Sequence, residues 1–311
     1  MLKWQRKYIL TIEVKEEDEV ITTLEIKNPL TIEFFIDKNL NSQANLLDLK
    51  IYNLAEKTRN LLLQDKFNLL DFGSGKRYRK IVLKAGYGIN TPIIFIGNLV
   101  ESYSFRQGTE VITQIYAYDG LYGMINSYAD LTLSKGISKL DAINKLISTL
   151  NKIDKGIIAN LEGELKRGAL YNENSYLLIK NNFKDYISVN NGVQTITQRN
   201  IFVENEKINI LNANDFIDQG YVIEISSDTG LLNTPKRRET FIECDILFDP
   251  NIIAGQLIEL KSSFNKMFNG IYKVYGFTHN VVISEASGGD AITTLQLYLG
   301  TKLLNGLKAI Q

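Results

Sequence analysis
Residues 268–300, FNGIYKVYGFTHNVVISEASGGDAITTLQLYLG, constrain the fold more than any other stretch. Asn269-Gly270 is a turn signal, and the run from Ile271 to Ile283 is rich in Tyr, Val, Phe and Thr. Ser287-Gly288-Gly289-Asp290 then turns the chain into Ala291–Leu299. There Ala291, Thr293, Leu295, Leu297 and Leu299 fall on one side, and Ile292, Thr294, Gln296 and Tyr298 on the other. Period two is the signature of a strand with one buried face. The stretch therefore reads as an antiparallel pair whose apolar side the rest of the chain must cover.

The same texture recurs along the chain. Lys7–Val14 and Val20–Ile26 alternate around the acidic turn Lys15–Glu19 and predict a hairpin. Leu30–Ile36, Leu47–Leu54, Lys80–Lys84, Ile93–Gly97 and Val111–Tyr118 complete a first all-β unit, with Glu56–Asp65 as a short helical patch or rim loop. Past Gly120 the pattern changes. Ser138 and Asp141 fit a capping box, and Ile143, Leu146, Ile147 and Leu150 follow at helical spacing. A second helix is expected over 175–183, and hairpins around Asn190-Asn191-Gly192 and Glu204-Asn205-Glu206. From Gly220 the chain is β-rich again.

The two β regions run in parallel as an internal repeat. TIEFFI (31–36), LDLKIYNL (47–54), IVLK (81–84), IIFIGNL (93–99) and EVITQIYAYDG (110–120) match YVIEI (221–225), FIECDILFD (241–249), IELK (258–261), GIYKVYGF (270–277) and AITTLQLYLG (291–300) in order and strand character. The expected fold is mainly β with an α+β insertion: a β-barrel over residues 1–120, a small α+β unit over 121–214 and a second, similar β-barrel over 215–311.

Little in the sequence supports chemistry. Among 311 residues there are one cysteine, Cys244, and one histidine, His279. No intrachain disulfide can form, and multi-cysteine zinc sites and most histidine-based catalysis are excluded. His279 has no nucleophile and triad that can be assembled around it and reads as a sheet residue, and Cys244 reads as a buried small hydrophobe. Asp119, Asp130, Asp141, Asp154 and Asp290 are scattered, so a hydrolase reading rests only on unpaired carboxylates. Residues 72–77 only faintly resemble a phosphate loop. The full pattern needs Gly where Leu70 stands and Ser or Thr where Arg77 stands. Lys76, Arg77, Arg79 and Lys80, with Tyr78 between them, form one basic cluster, and Lys236, Arg237 and Arg238 form another. Each lies on a loop just before a strand, at similar places in the two repeats, and they are candidates for a channel lining or an interface. A nucleic-acid reading rests on the first cluster, but 35 basic residues against 35 acidic ones give no net attraction to a polyanion. No signal peptide and no bilayer-length apolar run are present, so the expected protein is soluble, without a membrane partner or specific nucleic acid, and without metal or cofactor.

A family resemblance lies in particular residues: the Asp249-Pro250-Asn251 turn, the Gly255–Ile258 strand start, Asn269–Val274, the Thr278-His279 pair, and Gly288–Leu297 with its Thr-Thr-Leu-Gln-Leu alternation. This segment resembles the second tube-like domain of baseplate hub proteins from contractile-tailed phages and related injection machines. Asp48–Leu54, Ile81–Gly86, Phe95-Ile96-Gly97 and Thr109–Gly120 are similar to the first tube-like domain of that family. The resemblance implies a structural hub with no catalytic residues to carry over. It implies a homotrimer whose six barrels form a pseudo-hexameric ring between the tail tube protein and a central spike protein, beside other baseplate or tape-measure proteins. Its place would be the virion tail baseplate, after assembly in the host cytoplasm.

Overall fold
The computed structural model describes residues 5–16, 19–41, 43–63, 78–190, 193–286, 288–299 and 308–310. The loop read above at 72–77 lies outside them. The fold is mainly β with few helices.

The first third contains β1 (Arg6–Glu16), β2 (Glu19–Lys27), β3 (Ile32–Asn39), β4 (Leu46–Tyr52), α1 (Glu56–Leu63), β5 (Lys80–Tyr87), β6 (Ile93–Gln107) and β7 (Glu110–Tyr118). The β1–β2 hairpin is antiparallel, as its alternation requires. The buried side of each strand alternates along the chain, so Leu10, Ile12, Phe34, Ile36, Leu47, Leu49, Leu83, Phe95 and Ile115 share one apolar core. That core also takes in Phe248, Val281, Ile283 and Ala291 from the last third of the chain.

The middle contains α2 (Leu121–Asn126), β8 (Tyr128–Leu133), α3 (Lys139–Ile147), β9 (Asp154–Ile158), β10 (Ala169–Asn174), α4 (Ser175–Phe183), β11 (Asp185–Asn190), β12 (Val193–Gln198), β13 (Asn200–Glu204), β14 (Lys207–Leu211) and β15 (Asp215–Ile217). Ser138 caps α3, its Oγ accepting from Asp141 N at 3.0 Å. Ile143, Leu146 and Ile147 turn into a second core with Ile179, Phe183, Val203 and Ile208. The helix at 121–126 and the strands β8, β9 and β10 carry no clear period in the sequence, and the pattern reading passes over them.

The last third contains β16 (Ile223–Ser226), β17 (Lys236–Arg237), β18 (Phe241–Leu247), β19 (Leu257–Lys261), β20 (Gly270–Ile283), β21 (Ala291–Tyr298) and β22 (Lys308–Ile310). Its core unites Ile225, Ile242, Cys244, Ile258, Tyr272, Val274, Leu295 and Leu297.

The repeat is present in the pairing, down to the register. In the first third the order is β4-β7-β6-β5, and in the last it is β18-β21-β20-β19. Leu99 lies opposite Ala117 as Val274 lies opposite Leu297, and each ladder then has a bulge, at Val100 and at Tyr275. Leu99 N donates to Arg79 O as Val274 N donates to Gln256 O, both at 2.9 Å. One sequence match is corrected. YVIEI does not hold the place of TIEFFI, because β16 runs parallel to β19, whereas β3 lies antiparallel beside β4. The counterpart of β3 is the two-residue strand β17, which lies antiparallel beside β18. A short parallel strand and an antiparallel one read alike in period two.

The two units are fused into one thirteen-stranded sheet by β3 and β20, paired antiparallel from Gly276–Asn39 to Ile283–Ile32. Gly276 permits this approach, since a Cβ there would lie 2.9 Å from Asn39 Cβ and 3.1 Å from Lys38 O. Replacing Gly276 with valine should push β3 off β20 and destabilise the fold by about 1–3 kcal/mol. Gly288→Ala, at a position with nothing within 4 Å of the new Cβ, should stay within ~0.5 kcal/mol of the parent. Chemical denaturation of the two variants separates these outcomes, and equal stability would contradict the tight seam.

Candidate functional site
Three features could do work: the basic clusters, the buried polar junction between the first sheet and the middle of the chain, and the sheet edges.

Of the first cluster, Lys76 and Arg77 lie outside the described residues. Arg79 is buried and donates from Nη1 to Leu62 O at 3.3 Å, holding the end of α1. Lys80 lies 3.4 Å from Glu206. Arg79 is thus turned into the internal structure, while Lys80 is part-exposed beside Glu206. Lys236, Arg237 and Arg238 are all exposed. Arg238 grips Glu243 with two guanidinium nitrogens, at 3.0 and 3.3 Å. The clusters do not occupy equivalent places in the repeat. Arg79 precedes β5, whose counterpart is β19, whereas Lys236 and Arg237 form the strand beside β18.

The junction is built around the tip of the β13–β14 hairpin. Asn205 and Glu206 form its two-residue turn, both at positive φ, 51° and 60°. Asp119, at the end of β7 and fully buried, accepts from Asn205 N at 2.6 Å and Glu206 N at 2.7 Å. Asn45 joins it through Nδ2, 2.8 Å from Val203 O and 3.3 Å from Asp119. Lys38, buried on β3, reaches Glu204 at 2.6 Å and Asn205 Oδ1 at 3.0 Å. The Tyr78 hydroxyl donates to Glu206. Burial pushes the Asp119 carboxyl up to about 7, against the opposing pull of Lys38 and the two backbone N–H groups. The isolated Asp119-Gly120 pair in the sequence gives no sign of this, because its partners lie far along the chain.

His279 and Cys244 are structural. His279 Nδ1 lies 2.8 Å from Thr293 Oγ1, between the rings of Phe248 and Phe277. Burial, with a further push from Lys38, lowers its pKa to about 3, so it is neutral in ordinary conditions. Cys244 is buried, and burial pushes its thiol up to about 12. Among the described residues no group of three or more His, Cys, Asp or Glu side chains could hold a metal ion, and no helix is long and apolar enough to cross a membrane.

The edges differ between the two units. β20 is fourteen residues long and uses one edge twice. Gly270–Lys273 pair with β19, and beyond the bulge Gly276–Ile283 pair with β3. β6 has the same anatomy. Its first part pairs with β5 up to Asn98, but from Val100 to Gln107 the only ladder among the described residues is the one to β7. That half of β6 presents Val100, Tyr103 and Phe105 to solvent, with the two rings in contact at 6.0 Å. The sequence pattern marks this strand only over 93–97, or 93–99 in the repeat.

The fold is thus one sheet pattern used twice, β4-β7-β6-β5 and β18-β21-β20-β19, with helices and short strands between the two uses. The family described as "Baseplate hub gp41" matches residues 9–286, and the chain belongs to it. It is a structural baseplate hub of a phage tail. Among curated proteins no sequence matches the chain. Its fold is similar to that of the 43 kDa tail protein of prophage MuSo2 from Shewanella oneidensis, with a TM-score of 0.59 at 8% identity over 94% of this chain and 96% of that one. It is also similar to a tail protein from Neisseria meningitidis MC58, with a TM-score of 0.52 at 10% identity over 94% and 97%. The E. coli c3393 protein, a component of the type VI secretion system, gives a TM-score of 0.50 at 8% identity over 87% and 74%.

Asp119→Asn should loosen the junction, because an amide offers one acceptor oxygen to the two N–H groups that Asp119 satisfies; the expected loss is about 1–3 kcal/mol. The pH dependence has a fixed sign. A carboxyl raised from 3.8 to about 7 by folding adds stability below its unfolded value, and that contribution disappears as pH rises through 7. The gap between parent and variant, measured by thermal melting, should therefore shrink from pH 5 to pH 8. A gap that widens over this range would contradict the assignment.

Proposed function
We propose that this hub works as a homotrimeric ring of six tube-like sheet units, seated between the tail tube and a central spike. The observation that carries the reading is the repeated register: β4-β7-β6-β5 and β18-β21-β20-β19 are one unit used twice in a chain. Three such chains supply six similar units, which matches a sixfold tube on one face and a threefold spike on the other. The division of labour follows the chain. Residues 1–120 and 215–311 form the two ring units, and residues 121–214 project from them, fastened by the Asp119 junction.

The partners are the tail tube protein, the spike protein and other baseplate or tape-measure proteins, contacted in the virion tail after assembly in the host cytoplasm. Tail and secretion-system proteins of the same fold support this placement. The work is adaptation of symmetry and not catalysis. Asp119 and Glu206 at the junction are each engaged by structural partners, and His279 and Cys244 are buried in the sheet.

Sedimentation velocity and native mass measurement, on the purified chain alone and with its spike partner, test the ring. A mass of three chains is expected in at least one condition. A monomer in both would overturn the reading.

A further inference from the structure
Between the end of α4 and the bulge of β20 lies a pocket of about 190 Å³. We propose that it binds a phosphate group, held by Lys180, Lys184 and Arg199 with the amides of Asn41 and Asn200. The site lies within one chain and does not depend on the ring.

The fold brings these residues together from two sides. Lys180 and Lys184 stand four residues apart at the end of α4, so they share one face of the helix. Arg199 N donates to Lys184 O at 2.6 Å, which sets the arginine beside the helix end. The sheet supplies the other side. Leu40 N donates to Tyr275 O at 2.9 Å, and the Tyr275 hydroxyl donates to Asn41 Oδ1. The residues that follow β3 are thus held at the bulge of β20.

The charges are unbalanced. No carboxylate lines the pocket. Both lysines are half-buried, and neither ammonium has a hydrogen-bond or ion-pair partner among the described residues. Two like charges at this spacing destabilise a helix, and the negative end of the helix dipole offsets that only in part. Arg199 is fixed in place. Its Nε donates to Asn212 Oδ1 at 2.8 Å, and its Nη1 to Phe183 O and Asp185 O at 3.0 and 3.1 Å. Asp185 and Asp215 attract its charge from outside the pocket lining. Its Nη2 has no partner among the described residues.

The two asparagines are oriented to donate. Asn41 Oδ1 is taken by Tyr275, and Asn200 Oδ1 accepts from Lys273 Nζ at 3.4 Å. Each keeps its Nδ2 for a ligand. Charge then selects among anions. A carboxylate would answer one lysine and leave the other, whereas a phosphate dianion answers both and has oxygens to spare for Nη2 and the amides. The free ion and a phosphate ester share this chemistry. Once bound, the group would tie α4 and the start of β13 to the residues after β3. That is a second fastening of the middle of the chain to the sheet, besides the Asp119 junction.

The test is thermal melting of the full chain at constant ionic strength in sodium phosphate, sodium acetate or sodium chloride, with titration calorimetry of phosphate. Phosphate should bind once per chain and raise the melting temperature by about 2–4 °C at ten times its half-saturating concentration. Acetate should bind at least tenfold more weakly. Lys180→Gln combined with Lys184→Gln should weaken phosphate binding at least tenfold. Lys135→Gln combined with Lys145→Gln removes the same charge from exposed positions elsewhere in the middle of the chain and should leave binding unchanged. Asn41→Asp keeps an acceptor for Tyr275 and places a carboxylate beside the lysines. It should abolish the phosphate response and melt above the parent in phosphate-free buffer. Glycerol phosphate separates the sources: binding equal to that of phosphate marks a site open to esters, and binding at least tenfold weaker marks a site for the free ion.

An equal phosphate response in the parent, the double lysine variant and Asn41→Asp would be a general salt effect and would overturn the site, as would the absence of saturable binding. Acetate as effective as phosphate would overturn the choice of ligand. None of these outcomes involves the mass of the assembly, so the ring stands or falls separately.

Discussion
The structure depends on one strand serving two neighbours along a single edge. β20 must be long enough to carry β19 over its first four residues and β3 over its last eight. It must also bend between them, and the bulge at Tyr275 supplies the bend. The residue after the bulge is Gly276, where Asn39 and Lys38 come too close for a side chain. A β-branched or bulky residue there would separate the two halves of the chain. The apolar contacts agree with this, since Val281 and Ile283 from the seam half of β20 are buried in the core of the first unit. Val274, just before the bulge, is buried in the core of the second. The seam and the two cores are thus one construction, and the hairpin tip at Asn205-Glu206 is tied to it through Lys38, which lies on β3 opposite Phe277.

What could be read from the sequence follows what is local. The strand at 271–283, the Ser138 cap, the helix at 175–183 and the hairpin turn at 204–206 each depend on neighbours within a few residues; the turns read at 190–192 and 287–290 lie partly outside the described residues. What the sequence hid is non-local or short. Val100-Glu101-Ser102-Tyr103-Ser104-Phe105 alternates, but in the single chain only Ser102 of these is buried, so no apolar face marks it as a strand. β17 is two residues of charge, which read as a solvated loop. The two basic clusters, alike in residue type, differ in placement, because Arg79 folds inward onto the last turn of α1 while Lys236 and Arg237 stay outside. Nothing in the residue types separates the two cases; only the partner at Leu62 does.

The ionisable groups tell the same story from another side. A histidine lowered to about 3, a thiol raised to about 12 and a carboxyl raised to about 7 would in many proteins point to a reactive site. Here each shift comes first from burial, and each group faces packed sheet or a hairpin turn. His279 began as the only imidazole that could act as a base. It is held between Phe248 and Phe277, where its role is to satisfy Thr293. Burial in packed sheet accounts for these shifts first, and the family to which the chain belongs is one of structural baseplate hubs.

The repeat is not perfect, and its imperfection suits an adaptor. The joint inside the chain is an eight-pair ladder backed by two apolar cores. A long apolar joint of this kind has to form while the chain folds, because its faces are insoluble alone. In the proposed trimer the joints between chains would form later, from surfaces that the folded chain already keeps in water. Six units joined alternately within and between chains would then have threefold symmetry in their joints and near-sixfold symmetry in their sheets.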